Sequence, residues 1–399
     1  MSREQQSTRR TFLKGTAAAA VGTTTVAGCV GGSDEPDDDS GTGATPTDTP
    51  TDSDDGGSNS DSYEVEMAPV GTVTFESTPQ SWETYFPGYA EMGIALGHAD
   101  GLTAIGNAGR FHTTHFEELD GVSVDKDEVT TLVGKSGIDK ELYLELDNDV
   151  HLTDPQWLTS NDFFGLDSSD VDQITSTVGP FVGNAIFRRT DTWHDYRYYT
   201  MYEAFEKVAR VFQQQERYEA FKSYHDEVIA DVQSKLPSAT ERPNALLCWA
   251  GSNEPEEFSP YRITDKGTNK KHLHDLGVED ALAGSGVKGL SESNRAKIDY
   301  ETMLEIDPEY ILLRGHESKT ESEFESTVLG FMQEHSAASE LTAVQNDNVY
   351  RGGPIYQGPI YNLFLTERAA GQFYPDTYSG ELFDRSKLAG IITDQADGE

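Results

Sequence analysis

Two kinds of residue in this chain could do chemistry: paired histidines, and aromatic and guanidinium side chains placed at predicted strand ends. His112 and His115 are spaced to lie near one another on a helical turn, and His272 and His274 do so on a strand or loop. Imidazoles so placed could ligate zinc or a similar ion. No Glu-bearing zinc-protease motif or dense Cys/His cluster accompanies either pair, so no metal centre is predicted. A secreted metal-dependent hydrolase, or a binder of bare metal ions, built on His112 and His115 remains the alternative. No nucleophile elbow, phosphate loop or dinucleotide fingerprint occurs, and Gly284, Gly286 and Gly289 lack the lysine or preceding strand such loops need. The chain is expected not to be an enzyme. The second set is Trp82, Tyr85, Phe86, Arg110, Phe111 and Trp157, then Trp249, Tyr261, Arg262, Arg314 and Tyr356. Aromatic faces with a few arginines suit a large flat ligand with a polar or anionic rim. In a chain with 70 acidic and 30 basic residues, an arginine at a strand end either pairs with a carboxylate or waits for an anion. Arg314 is the first choice.

The elements that must position these residues alternate. Gly71–Phe75 reads as a first strand, Trp82–Gly97 as a helix broken near Pro87, Leu102–Gly106 as a second strand and Val150–Thr153 as a third. Such alternation predicts parallel sheets with crossover helices, whose ligands sit beyond the carboxyl ends of the strands. Thr200–Leu236 predicts two helices, because the apolar phase of Met201, Phe205, Val208 and Phe212 is broken at Gln213–Gln215. The second, from about Glu216 to Leu236, would be about 30 Å long, enough to join two lobes. After Pro243 come a strand at Asn244–Gly251, a helix around His272–Leu276 and a strand at Tyr310–Leu313 opening onto Arg314. A last strand at Asn348–Arg351 runs into Gly352–Tyr356, and helices around Leu363–Phe373 follow. One stretch is doubled. Laid on Ile298–Leu312, Ile138–Leu152 matches it at Ile, Asp, Glu, Leu, Glu, Asp and the final Leu. Each copy predicts an Asp-capped helix that carries Leu144 or Leu304 inward, then a buried strand.

A net charge of −40 argues against nucleic-acid binding and fits the surface of a halophile. Thr8–Lys14 closely resembles a twin-arginine export signal, and Val26-Ala27-Gly28-Cys29 a lipobox with Cys29 as the lipid attachment point. Residues 30–62 are poor in large apolar side chains and predict a disordered acidic tether. The one further cysteine, Cys248, is expected to be a buried thiol, leaving the mature chain without a disulfide.

With these features in order, the chain resembles the bilobal substrate-binding lipoproteins of ABC importers for ferric siderophores, haem and cobalamin, in a haloarchaeal form. The resemblance rests on Ala90–Ile105, on Gly134–Asp154, on Ile306-Asp307-Pro308-Glu309, on Ala343–Tyr350 and on Tyr374-Pro375-Asp376. The turn Leu146-Asp147-Asn148-Asp149 departs from the family pattern, which has proline where Asn148 stands. The resemblance implies an α/β fold of two Rossmann-like lobes with central, mainly parallel sheets joined by one long α-helix. It divides the chain into a signal (1–29), the tether (30–62), an N-terminal lobe (63–213), a bridging helix (214–237) and a C-terminal lobe (238–399). It further implies an exported, lipid-anchored monomer on the outer face of the cytoplasmic membrane. That monomer would carry no cofactor, bind an iron chelate such as a ferric siderophore, and deliver it to an ABC permease dimer. Glu141 and Glu301, one per lobe, would meet an arginine on each half of the permease.

Overall fold

The computed structural model describes residues 62–289 and 296–394; the twin-arginine motif, Cys29 and residues 30–61 of the expected tether lie outside the described residues. The first strands, β1 (Tyr63–Met67) and β2 (Gly71–Phe75), pair antiparallel with each other and stand apart from the parallel sheet. The sheet's own first strand is β3 (Trp82–Thr84), inside the segment expected to be helical. Its residues are buried on both faces, so no period betrays it. Pro87 then starts a helix instead of breaking one: it occupies the first turn of α1 (Pro87–Ala95), where its missing N–H costs nothing.

β4 (Leu102–Ile105) and β5 (Thr130–Thr131) follow, then a small hairpin of β6 (Val133–Gly134) and β7 (Gly137–Ile138). After these come α2 (Lys140–Leu146) and β8 (Val150–His151). The order β5-β4-β3-β8 is parallel throughout. Three further helices are α3 (Pro155–Thr159), α4 (Ser168–Thr177) and α5 (Met201–Val211). Next is the long helix α6 (Gln215–Ser234), 20 residues and about 30 Å. Tyr218, Phe221, Tyr224 and Val228 of α6 join the core of the first sheet, while Val232 joins a core of the second.

The second sheet begins with β9 (Asn244–Trp249) and β10 (Ser259–Tyr261), an antiparallel edge. α7 (Lys271–Asp275), β11 (Glu279–Asp280), α8 (Tyr300–Ile306), β12 (Tyr310–Arg314) and β13 (Val349–Arg351) follow, with β11 and β12 parallel to β9 and β13 parallel to β12. Alternate residues of β9 serve opposite faces: Leu246 and Cys248 fill one core, Ala245 and Leu247 another. The last helices, α9 (Pro359–Phe373) and α10 (Arg385–Thr393), return to the first half. Ile360, Leu363 and Leu388 belong to its core, whereas Ala370 and Phe373 belong to the second. α9 therefore bridges the two sheets as α6 does, and the Glu91 carboxylate of α1 accepts from its Tyr361 N–H at 2.7 Å.

The doubled stretch folds twice in the same way. Asp139 accepts from the Glu141 N–H at 3.1 Å, and Asp299 from the Thr302 N–H at 2.9 Å. Asp147 and Asp307 end the helices in the left-handed region, at φ 48° and 44°. One expectation is corrected: Tyr143 and Met303, not Leu144 and Leu304, fill the core, and Leu304 is 36% exposed. Asp299→Ala should lower stability by about 1 kcal/mol, the typical worth of such a cap, read as a lower urea midpoint at unchanged m-value.

Candidate functional site

The carboxyl ends of both sheets open onto one cavity of about 100 Å³. Gly109, Arg110 and His112, past β4, line one side; Trp249, the last residue of β9, with Glu317 and Pro354, past β12 and β13, line the other. Arg110 extends its guanidinium over the rings of Trp249 (5.6 Å) and Tyr356 (5.9 Å). Tyr356 leads into an aromatic wall, with ring centroids 5.6 Å from Phe86 and 6.2 Å from Tyr85, which itself lies 5.5 Å from Trp157. These residues lie in the segments that follow β3, β8 and β13, so the parallel topology gathers positions far apart in the chain.

Arg314 ends β12 fully buried, at 1% exposure. It donates to the carbonyls of Gly352 and Asn269 and stands 4.8 Å over Tyr261, and its Nη1 is buried without a partner. Burial holds this guanidinium below its ordinary pKa, Tyr261 and Glu317 working in the other direction. Lys270, also buried, is pushed down to about 8 by desolvation and by the Arg314 charge. Arg188 lies over Trp157 (5.5 Å) and Phe187 (5.0 Å), held by Asp191. Tyr261 feels the charges of Arg314, Arg188 and Arg110 together. Arg110 and Trp249 line the cavity itself, and Arg314 and Arg188, whose charges reach Tyr261 together with that of Arg110, add cationic character beside it, an arrangement suited to a flat ligand with negative charge.

Glu317 is the exception in sign. Burial alone would raise its carboxyl, yet Arg368 at 2.6 Å and the Tyr361 hydroxyl at 2.6 Å hold it down at about 2.

Three expected contacts are corrected. Trp82 sits at the start of β3, not beyond its end; it is fully buried against Gly93 and Phe212 and donates its indole N–H to the His98 carbonyl. Phe111 is fully buried against Phe116. Arg262 is committed to Asp280 of β11 at 2.9 Å. The members of each histidine pair also meet different surroundings. His115 is buried, stacked 4.2 Å from Tyr361, and burial drives its pKa to about 3. His272 is buried against Gln357 and His274 bonds the Ile263 carbonyl, leaving His112 alone at the cavity. Among the described residues no group of three or more His, Cys, Asp or Glu is arranged to hold a metal ion. Phe187, Arg188, Lys270 and Glu317 escaped the sequence reading. Only Glu317, four residues past a predicted strand, carried a positional signal.

A family model described as "Periplasmic binding protein" matches residues 84–356. No curated protein matches in sequence. Among solved structures, a periplasmic binding protein from Veillonella parvula aligns with TM-score 0.55 at 15% identity, covering 79% of this chain and 98% of its own. Helicobacter pylori CeuE with Ni(II) bound aligns with TM-score 0.54 at 14% identity, covering 84% and 97%. The haem-binding protein HmuT gives 0.52 at 15%, covering 78% and 89%. At such identities the likeness is one of fold. The family match spans the cavity-lining segments from β3 to Tyr356, and the chain belongs to the periplasmic binding protein family, the extracytoplasmic solute-binding proteins of ABC importers, which are not enzymes.

Proposed function

We propose that this protein captures a metal chelate, foremost a ferric siderophore, in the cavity between its sheets and delivers it to an ABC permease. The observation that carries this reading is Arg314, a buried cation with an unpartnered nitrogen at a strand end, whose charge reaches Tyr261 together with those of Arg110 and Arg188. The names of two structural neighbours, one with bound Ni(II) and one a haem binder, are consistent with it. We assign ligand contact to Tyr85, Phe86, Arg110, Trp157, Trp249, Tyr261, Arg314 and Tyr356, and add Arg188 and Lys270. A drug-sized ligand typically fills about 300 Å³ or more. The cavity of about 100 Å³ must therefore widen, by parting the aromatic wall or the two lobes. Trp157 and Trp249 then report binding directly. Titration in high salt with ferric siderophores, haem and cobalamin should give saturable quenching with a ferric siderophore; saturation only with haem or cobalamin moves the assignment to that ligand, and none at all overturns it.

The proposal extends to the ends of the chain: export by the twin-arginine route, a lipid on Cys29, an acidic tether and a salt-tolerant surface. The lobes divide near residue 214, with Ile360, Leu363, Leu365, Phe383, Leu388 and Ile392 packing back on the first and Ala370, Phe373, Tyr374 and Tyr378 on the second. Glu141 and Glu301 are exposed on their helices and are assigned to docking. Reversing both charges to Arg should abolish uptake with the ligand dissociation constant unchanged; weaker ligand binding would refute the assignment.

A further inference from the structure

The doubled stretch keeps more identity than its fold uses. Of the coincident positions, Ile138 and Ile298 are buried, Asp139 and Asp299 cap the helices, and Asp147 and Asp307 end them. Leu152 and Leu312 are buried in or beside the strands. Three pairs remain: Glu141 with Glu301, Leu144 with Leu304, Glu145 with Glu305. The four glutamates are exposed, and neither leucine belongs to a hydrophobic core. Leu142 and Leu146, by contrast, pack on the first core. At i, i+3 and i+4 these positions share one helix face. The same motif, a leucine between two exposed carboxylates, thus recurs on each half of the protein, with Leu304 exposed and Leu144 half-buried. Leu304 is also one of three large hydrophobic side chains, with Val70 and Phe163, that are exposed beyond a third of their surface among the described residues.

We infer that the two leucines are matching apolar knobs that seat in a permease of two-fold symmetry, each half of which offers an apolar socket with a basic rim. This rests on the importer reading above and adds to it the source of the docking affinity. A second copy of the chain is disfavoured as occupant, because it would oppose glutamate to glutamate on a molecule of charge −40. Salt supplies the physical reason for a knob. At molar salt the screening length is about 3 Å, which leaves exposed carboxylates little reach. Apolar burial suffers no such screening.

The test uses the full-length chain, proteoliposomes containing the permease, and protein-free liposomes as control. Docking by co-sedimentation is followed from about 0.5 to 3 M KCl for wild type, Leu144→Gln/Leu304→Gln and Glu141→Arg/Glu301→Arg, with tryptophan fluorescence against a ferric siderophore confirming an intact cleft. The expected result is wild-type docking that persists at 3 M KCl and falls at least tenfold in the leucine variant with siderophore affinity unchanged. If only the glutamate variant fails, the knob is wrong and the importer reading stands. If wild type sediments no better with permease than with empty liposomes, the reading itself falls. A dimer in sedimentation velocity that the leucine variant abolishes makes a second copy the occupant and overturns the assignment.

Discussion

Replacing Arg314 with methionine is expected to weaken ligand binding at least tenfold while the melting temperature stays level or rises. The two halves of that result have one cause. The guanidinium is 1% exposed and touches two backbone carbonyls and the Tyr261 ring, but no carboxylate among the described residues. Burying a cation with no carboxylate in contact costs several kcal/mol, and an apolar side chain of similar length removes that cost. The structure around it survives the change, since the Asn269 carbonyl also accepts from Gln357 at 2.9 Å. An anionic ligand, on the other hand, loses a charge-assisted hydrogen bond to Nη1, worth roughly 1.5–3 kcal/mol, and tenfold in affinity needs about 1.4. Arg314→Lys keeps the charge but loses the planar fork, so it should fall between. Tryptophan quenching and calorimetry in high salt read the two quantities. A clear drop in melting temperature with unchanged affinity would make Arg314 a structural post and move the anion site to Arg110 and Arg188.

How far the sequence revealed this site depended on whether the determining interactions were local. Asp139 and Asp299 were legible as caps because a cap bonds within its own first turn. β9 and β12 were legible as apolar runs. β3 was not: Trp-Glu-Thr is too short a run to show a strand's alternation, and its buried Glu83 is met at 3.1 Å by His151 of the adjoining strand, a partner distant in sequence. A seven-residue helix is also too short to fix its phase, and for that reason Tyr143 rather than Leu144 turned inward. Arg262 and Arg314 looked alike as basic residues at strand ends. What separates them is Asp280, delivered to Arg262 by a strand that the sequence did not announce. The return of α9 and α10 to the first half is likewise decided by packing across the whole chain, through contacts such as Glu91 with Tyr361.

The same substitution made at Arg368 should have the opposite effect. Arg368→Met is expected to destabilise the protein by about 3 kcal/mol at neutral pH, because it strands the Glu317 carboxylate, which is 5% exposed, with Tyr361 as its remaining hydrogen-bond donor. In a chain of this size the melting temperature should fall by about 4 °C. The pH dependence identifies the cause. In the wild type the Glu317 pKa is depressed to about 2, so its contribution is complete above the ordinary carboxylate range and is lost as pH falls toward 2. Without Arg368 the Tyr361 hydroxyl and the Arg351 charge are left to oppose burial, so that pKa rises and the cost of ionisation grows as pH climbs through the carboxylate range. The gap between variant and wild type should therefore be smallest near pH 2 and widest at neutral pH. Adding Glu317→Leu should recover most of the loss, since removing both charges removes the unpaired one. A gap that does not change with pH, or a double variant as unstable as the single, would mean that Arg368 supports the fold through its packing and not through this ion pair.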